Sequence, residues 1–516
     1  MEFKSILFAD TGMEVEKAMP AFFQDLQLDY ITGIINNLTG DYQASQYYYT
    51  FPSDLELVKY RQQVFKDLEN KGLQQAVKGF CVKMQKSRHS YLLSLECEDN
   101  TRAAGYHLEA ALLYWEALEG FGQYLGDFTP VSDGINSLRE YVLKHIKECV
   151  ESGFSKAATG AREIFSQMRF YMAVNGSGIT ITGREDAGTA GGSAEKNYLE
   201  ELAGLLGVNG NNIEEMVTLK DIFPNVMELS YLENALVKLL KRSSPEVFSE
   251  IEGFYKNYPD FYSKELLQFE EEVQFYLGFL SFRDRTVSHG YNLDMPDVIS
   301  GGDFSGNGIY DIALAWKSAD RNYKVVPNDF SFNTEPSFFV VTGPNQGGKT
   351  TFARSMGQAV YFSIMGLPAN ALSLTVPLFK GIMTHFEAEE KIQSNSGKLK
   401  EEIDRLAPMM KQDNGYQFVI LNELFTTATT NDALVMGREV MEHFLGKDCY
   451  GIYVTHIQEL AEETDRIISL VAQAGDGADR VRTYKMVRME AQGYGYSESL
   501  VKKFGLAYED ILRRLD

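Results

Sequence analysis

The sequence predicts an α/β P-loop domain over residues 298–516, preceded over residues 1–297 by a mainly α-helical domain. Three observations carry this prediction. Apolar residues recur at helical spacing through the first half, and short β-rich apolar runs take over in the second. One of those runs, residues 337–342, leads into a glycine-rich loop that satisfies GxxxxGK[ST].

In the first half, Ser53 and Glu56 follow Pro52 with the spacing of a capping box, and Leu57, Tyr60, Val64 and Leu68 then fall on one face. Leu108, Leu112 and Trp115 form a second stripe. Leu266, Phe269, Val273, Tyr276 and Leu280 alternate steps of three and four, a seam that another helix should cover. Core packing accounts for these stripes without a cofactor role. The alternation from Ile179 to Thr182 runs into the small, polar, glycine-rich residues 183–197, which predicts a short strand or hairpin with its tip there. Between residues 292 and 308, Pro296, Gly301 and Gly302 interrupt the helical pattern, so the domain boundary is expected near Val298.

Beyond it lie SFFVVT (337–342), FVILN (418–422) and GIYVT (451–455), nearly continuous apolar runs of the kind buried on both faces of a parallel sheet. Residues 467–473 and 482–489 alternate around a Gly/Asp-rich connection and predict an antiparallel addition.

The loop itself reads Gly343, Pro344, Asn345, Gln346, Gly347, Gly348, Lys349 and Thr350, with a helix-compatible run after Thr351. Glycines let backbone N–H groups curl around a phosphate, the helix N-terminus adds a favourable dipole, Lys349 reaches the β- and γ-phosphates, and the Thr350 hydroxyl can ligate Mg²⁺. At the end of the second run, Glu423 is the candidate general base and Asn422 stands at the metal position, where its amide supplies no charge and should hold Mg²⁺ weakly. His456, after the third run, is placed to report a γ-phosphate. Ser396 either caps the helix that follows it or presents its hydroxyl to a phosphate.

Hydrophobic residues make up 44% of the 516, and charged residues 23%, which excludes global disorder; no uncharged run suits a membrane span. The formal charge of −23 repels polyanions unless basic residues gather locally, as at Lys83, Lys86 and Arg88 or at Lys238, Lys241 and Arg242. Each cluster reads more simply as a solvated helix face. The four cysteines are far apart, with no CxxC, so neither a zinc site nor a disulfide framework is expected, and a cytoplasmic location fits.

Taken together these residues resemble the MutS family of ATPases, relatives of the ABC ATPases. TGPNQGGKTT at residues 342–351 is close to that family's TGPNMGGKST, and Val326-Pro327-Asn328-Asp329 looks like its segment beside the adenine. Residues 366–369 resemble its G-x-x-P-A stretch, and THIQEL at 455–460 matches its THxxEL switch. Tyr494-Gly495-Tyr496, Lys502, Phe504-Gly505-Leu506 and the run to Leu515 are similar to its SYG…AGLP tail. More faintly, residues 53–68 look like the start of its helical core and residues 266–292 like its lever. The departures are as informative. The Walker B carboxylate becomes Asn422, the segment IGRGTST becomes residues 424–430 (LFTTATT), and the GGRSTF loop keeps its serine as Ser396.

The resemblance implies an ABC/MutS-type ATPase domain in a homodimer. ATP would be held by Val326, Asn328 and Gly343 through Thr351, and Mg²⁺ by Thr350 with Asn422. Glu423 and Lys349 would act in hydrolysis, with His456 and Ser396 sensing γ-phosphate, Ser396 across the dimer. The family reads mismatches with an N-terminal Phe-x-Glu domain, and nothing before Ser53 is long enough for one, so mismatch reading is not expected. Two functions follow: an ATP-driven DNA clamp acting in repair or recombination on non-mismatch or branched DNA, or a nucleotide-gated switch that engages a protein partner with little hydrolysis.

Overall fold

The computed structural model describes residues 3–9, 12–52, 54–167, 170–175, 178–183, 237–238, 240–242, 244–319, 323–332, 335–386, 397–411, 415–474 and 482–491. The chain forms two compact units: residues 1–74, 130–138 and 267–516 make one, and residues 75–129 and 139–266 the other. The change of pattern near Val298 therefore falls inside the first unit, because the N-terminal residues pack with the C-terminal half.

That N-terminal part holds α1 (Phe22–Asp25), α2 (Leu28–Leu38), α3 (Ser45–Tyr49) and α4 (Leu55–Leu68). Ser53 lies outside the described residues, and the capping role assigned to it falls to Asp54, whose carboxylate accepts the Leu57 N–H at 2.9 Å. Such a cap contributes about 1 kcal/mol. Leu57, Val64 and Leu68 are buried as their spacing predicts. On the same helix Arg61 is fully buried; its Nε donates to the Leu7 carbonyl at 3.0 Å, and its guanidinium lies over the rings of Phe8 and Phe275.

The second unit is built on most of α5 (Lys71–Glu96), α6 (Asn100–Asp127), most of α7 (Asp133–Glu151), α8 (Phe154–Gln167) and α9 (Pro245–Asn257), with a hairpin of β1 (Phe170–Asn175) and β2 (Gly178–Gly183). Leu108, Leu112 and Trp115 are buried, and Tyr114, Phe154, Phe254 and Phe261 cluster beside them. The partner of the Ile179–Thr182 alternation precedes it in sequence, since Phe170 pairs with Gly183; residues 184–197 lie outside the described residues. In each basic cluster one lysine is paired with acid, Lys83 with Glu116 at 3.6 Å and Lys241 with Glu252, which suits helix faces better than a phosphate track.

The first unit resumes with α10 (Lys264–Ser288), β3 (Asp297–Ile299), β4 (Ser305–Ile309), α11 (Ile312–Ser318), β5 (Asn328–Ser331), β6 (Phe338–Thr342) and α12 (Lys349–Ile364). After these come β7 (Ser373–Pro377), β8 (Ile382–His385), α13 (Lys398–Lys411), β9 (Phe418–Asn422), α14 (Thr430–Leu445), β10 (Tyr450–Val454), β11 (Ile467–Ala474) and β12 (Arg482–Arg488). Six strands form one sheet in the order β12-β11-β6-β10-β9-β8, and four form another, β3-β7-β4-β5. β6, β9 and β10 are buried at every position, which explains their unbroken apolar runs. β12 is the antiparallel addition expected, but β11 runs parallel to β6. Its alternating sequence marks partial exposure near the sheet edge and carries no information about direction.

Aromatic rings fill the space between the two sheets. Phe332 stacks on Phe304 at 4.8 Å and tilts against Phe339 at 3.8 Å, and Phe304 meets Phe418 and Tyr450 edge-on. Each ring so buried contributes about 2 kcal/mol. α12 is covered by the N-terminal residues. Gln358 donates to the Leu26 carbonyl at 2.9 Å, Tyr361 to that of Tyr48 at 2.6 Å, and Arg354 to that of Asp25 at 2.9 Å. Gly357 permits the approach, since a Cβ there would lie 2.7 Å from the Leu26 side chain.

Candidate functional site

β6, β10 and β9 are parallel and in register, with Val341 opposite Val454 and Val454 opposite Asn422. Their C-terminal ends therefore deliver the glycine loop, His456 and Glu423 to one edge of the sheet, where open parallel sheets bind ligands. The residues singled out in three separate stretches of sequence thus converge.

The loop is tightly constrained. Gly343 and Gly348 have φ of 123° and 91°, and Gln346 also lies in the left-handed region at 60°. A Cβ on Gly343 would stand 3.0 Å from the Ala472 backbone nitrogen, and one on Gly347 2.9 Å from the Pro344 carbonyl oxygen. The loop is thus pressed against β11 before it enters α12, whose first N–H groups have no partner within the helix and favour an anion. The buried Lys349 donates to the carbonyls of Gly343 at 3.0 Å and Pro344 at 3.2 Å. Burial pushes its ammonium below the ordinary lysine range, and the charge of Glu423 opposes that fall.

Two short contacts join the loop helix to the strand ends. Thr350 Oγ1 donates to Asn422 Oδ1 at 2.9 Å, which leaves the hydroxyl lone pairs for a cation. Glu423 Oε1 lies 3.3 Å from His456 Nε2; that hydrogen bond, with the charges of His456 and Lys349, holds the Glu423 carboxyl below the usual range against its partial burial. Glu423 has a φ of 55°, and its N–H is fixed on the Val454 carbonyl at 2.8 Å.

A cleft of about 210 Å³ runs along the loop, from Glu423 past Asn345 and Thr351 to Val326, Tyr323 and Tyr484. Asn328 borders it, but both ends of its amide are spent on β12: Nδ2 donates to the Tyr484 carbonyl at 3.0 Å, and Oδ1 accepts the Met486 N–H at 2.8 Å. Asn328 therefore sets the position of Tyr484. Burial, then the neighbouring Tyr484, raises the phenol of Tyr323. This aromatic pair was not singled out from sequence; its signal was Tyr323, three residues before Val326. Asp311 also faces the cleft and caps α11.

Gly343 and Pro344 turn their carbonyls to Lys349, while Asn345 through Thr351 line the cleft. Ser396 lies outside the described residues. Among the described residues no three His, Cys, Asp or Glu side chains gather to hold a metal unaided. The donors present, the Thr350 hydroxyl and the Asn422 amide oxygen beside the N-terminus of α12, suit a hard cation that brings phosphate oxygens with it. No helix among the described residues is long and apolar enough to cross a membrane, and no disulfide joins the four cysteines.

Residues 339–501 match the family described as MutS domain V. The DNA mismatch repair protein MutS of Thermotoga maritima is 27% identical over 137 residues, covering 27% of this chain and 17% of its own length. DNA mismatch repair protein MutS 2 of Halobacterium salinarum is 27% identical over 187 residues, 35% of this chain and 21% of its own. MutS of Streptococcus pyogenes is 26% identical over 147 residues, 28% and 17% respectively. The matches thus span about a fifth of these relatives or less.

Proposed function

From the MutS-family membership carried by residues 339–501, we propose that this chain binds and hydrolyses ATP and acts as a dimeric, nucleotide-driven DNA clamp in repair or recombination. The convergence of the glycine loop, Glu423 and His456 at adjoining strand ends is the observation that carries this reading. Tyr323, Tyr484 and Val326 flank the base, and the amides from Asn345 onward and Lys349 hold the phosphates. Mg²⁺, when bound beside Thr350 and Asn422, neutralises phosphate charge. Glu423, kept ionised by His456, accepts a proton from the attacking water, and His456 follows the γ-phosphate through that contact. Ser396 completes the phosphate site across a homodimer.

A second reading is favoured by the neutral Asn422 and the charge of −23: a nucleotide-gated switch for a protein partner, with little hydrolysis and no mismatch recognition. Steady-state ATPase activity, with and without mismatched, homoduplex and four-way-junction DNA at two salt concentrations, separates the two. Stimulation by any of these DNAs supports the clamp. Slow turnover indifferent to all of them supports the switch.

A further inference from the structure

The strand end that carries Glu423 leaves β9 through an unusual turn. Glu423 and Phe425 both have left-handed backbones, with φ of 55° and 61°, although neither is glycine. Side chains with a Cβ rarely adopt this conformation, and it persists only where surrounding contacts over-determine it. The segment that residues 424–430 resemble, IGRGTST, has glycine where this chain has Phe425. Phe425 thus holds a left-handed backbone without the residue type that makes it easy.

Three contacts hold the turn. The Glu423 N–H bonds to the Val454 carbonyl at 2.8 Å. Leu424 and Phe425 are sunk in a hydrophobic cluster with Leu406 of α13 and Tyr453 of β10. From the same helix as Leu406, Glu402 Oε1 accepts the Phe425 N–H at 2.7 Å. A charge-assisted bond of that length to a backbone N–H is both strong and directional. It fixes the peptide two residues beyond the candidate base.

We propose that Glu402 is a positioning residue for ATP hydrolysis: by clamping the Phe425 N–H it holds the left-handed turn that aims Glu423 at His456 and the cleft. This rests on the reading of Glu423 as the base. In this role Glu402 acts through the backbone of Phe425. Loss of the clamp should lower kcat, since a small misplacement of a catalytic group costs on the order of ten- to a hundredfold, while leaving ATP binding alone.

The test measures kcat, the ATP dissociation constant and peptide-level hydrogen exchange over residues 423–428 for the full chain and its variants. Glu402→Ala should lower kcat at least about tenfold, keep ATP affinity within about twofold and speed exchange. Glu402→Gln, which retains the acceptor oxygen, should preserve turnover and protection. Phe425→Gly in the Glu402→Ala background, which relieves the backbone strain, should restore turnover. Unchanged kcat and exchange in Glu402→Ala overturns the proposal, as does joint loss of binding and turnover that Phe425→Gly does not restore. Should the unsubstituted chain turn over no ATP, the hydrolysis reading fails by itself. Exchange then decides the clamp: faster in Glu402→Ala and protected in Glu402→Gln upholds it, and no difference overturns it.

Discussion

His456 Nε2 stands 3.3 Å from Glu423 Oε1, so the side chain proposed to sense a phosphate is in direct contact with the one proposed to activate water. Glu423→Ala should lower kcat by about 10²–10⁴ and leave ATP binding intact, giving a stable nucleotide-bound dimer seen by size-exclusion chromatography with ATP. The pair also fixes a pH dependence. In the proposed role the ionised carboxylate is the active form, and its pKa is held down, so activity should persist below the ordinary glutamate range and fall as pH drops through the lowered value. In His456→Ala the acid limb of kcat should move to higher pH. A limb that stays in place would remove His456 from this role.

Asn422 accepts the Thr350 hydroxyl proton through Oδ1, a geometry an aspartate can reproduce. Asn422→Asp should therefore preserve the loop and lower the Mg²⁺ concentration for half-maximal ATPase activity by about tenfold, the effect of one added charge near a hard cation. Faster hydrolysis should accompany it. No change in the Mg²⁺ titration, with ATP binding intact, would sink the charge argument.

A Cβ at Gly347 would meet the Pro344 carbonyl oxygen at 2.9 Å, inside the loop itself. Gly347→Ala should thus reshape the anion cradle and weaken ATP binding by at least about tenfold, measured by isothermal titration, with little change in unfolding midpoint.

Asn328→Leu removes both amide bonds to β12 and strands the buried Met486 N–H. The expected cost is about 1–3 kcal/mol in urea unfolding, together with weaker ATP binding as Tyr484 is released.

His385, at the end of β8, is buried, and burial together with the Arg405 charge lowers its pKa to about 4. Its folded value lies below the unfolded one, so protonation favours unfolding: the stability is complete above about pH 6.5 and is lost as pH falls toward 4. Between pH 7 and pH 5 this group accounts for a loss of about 2 kcal/mol, which His385→Leu should abolish in paired urea titrations.

The parts of the site legible in sequence were those where one local pattern suffices. Residues 338–342, 418–422 and 450–454 are buried on both faces, and their apolar runs said so; the loop advertises itself by glycine spacing. The relations hidden from sequence are long-range. Asn328 lines the cleft as a residue near the base would, and what its sequence position could not show is that its amide binds a strand more than 150 residues later. Glu402 sits among charged residues on an amphipathic helix, and only the fold brings it to Phe425. β8 and the four-stranded sheet gave mixed signals because each of their short strands includes positions that are not buried, which breaks the apolar run. The start of α4 slipped by one residue, since Ser53 and Asp54 are both good caps and local sequence does not rank them.

The bond from Gln358 to the Leu26 carbonyl joins residues 332 positions apart, and Tyr48 and Asp25 reach α12 over similar separations. During synthesis the first helices emerge from the ribosome long before the surface they cover exists. Leu26, Phe23 and Tyr48, all without exposure in the folded chain, must therefore wait while most of the protein is made. Contacts this distant make folding slow and leave apolar segments open to aggregation in the interval. Nascent chains halted before residue 364 should accordingly remain protease-sensitive at residues 22–49, and those segments become protected only once α12 has cleared the exit tunnel.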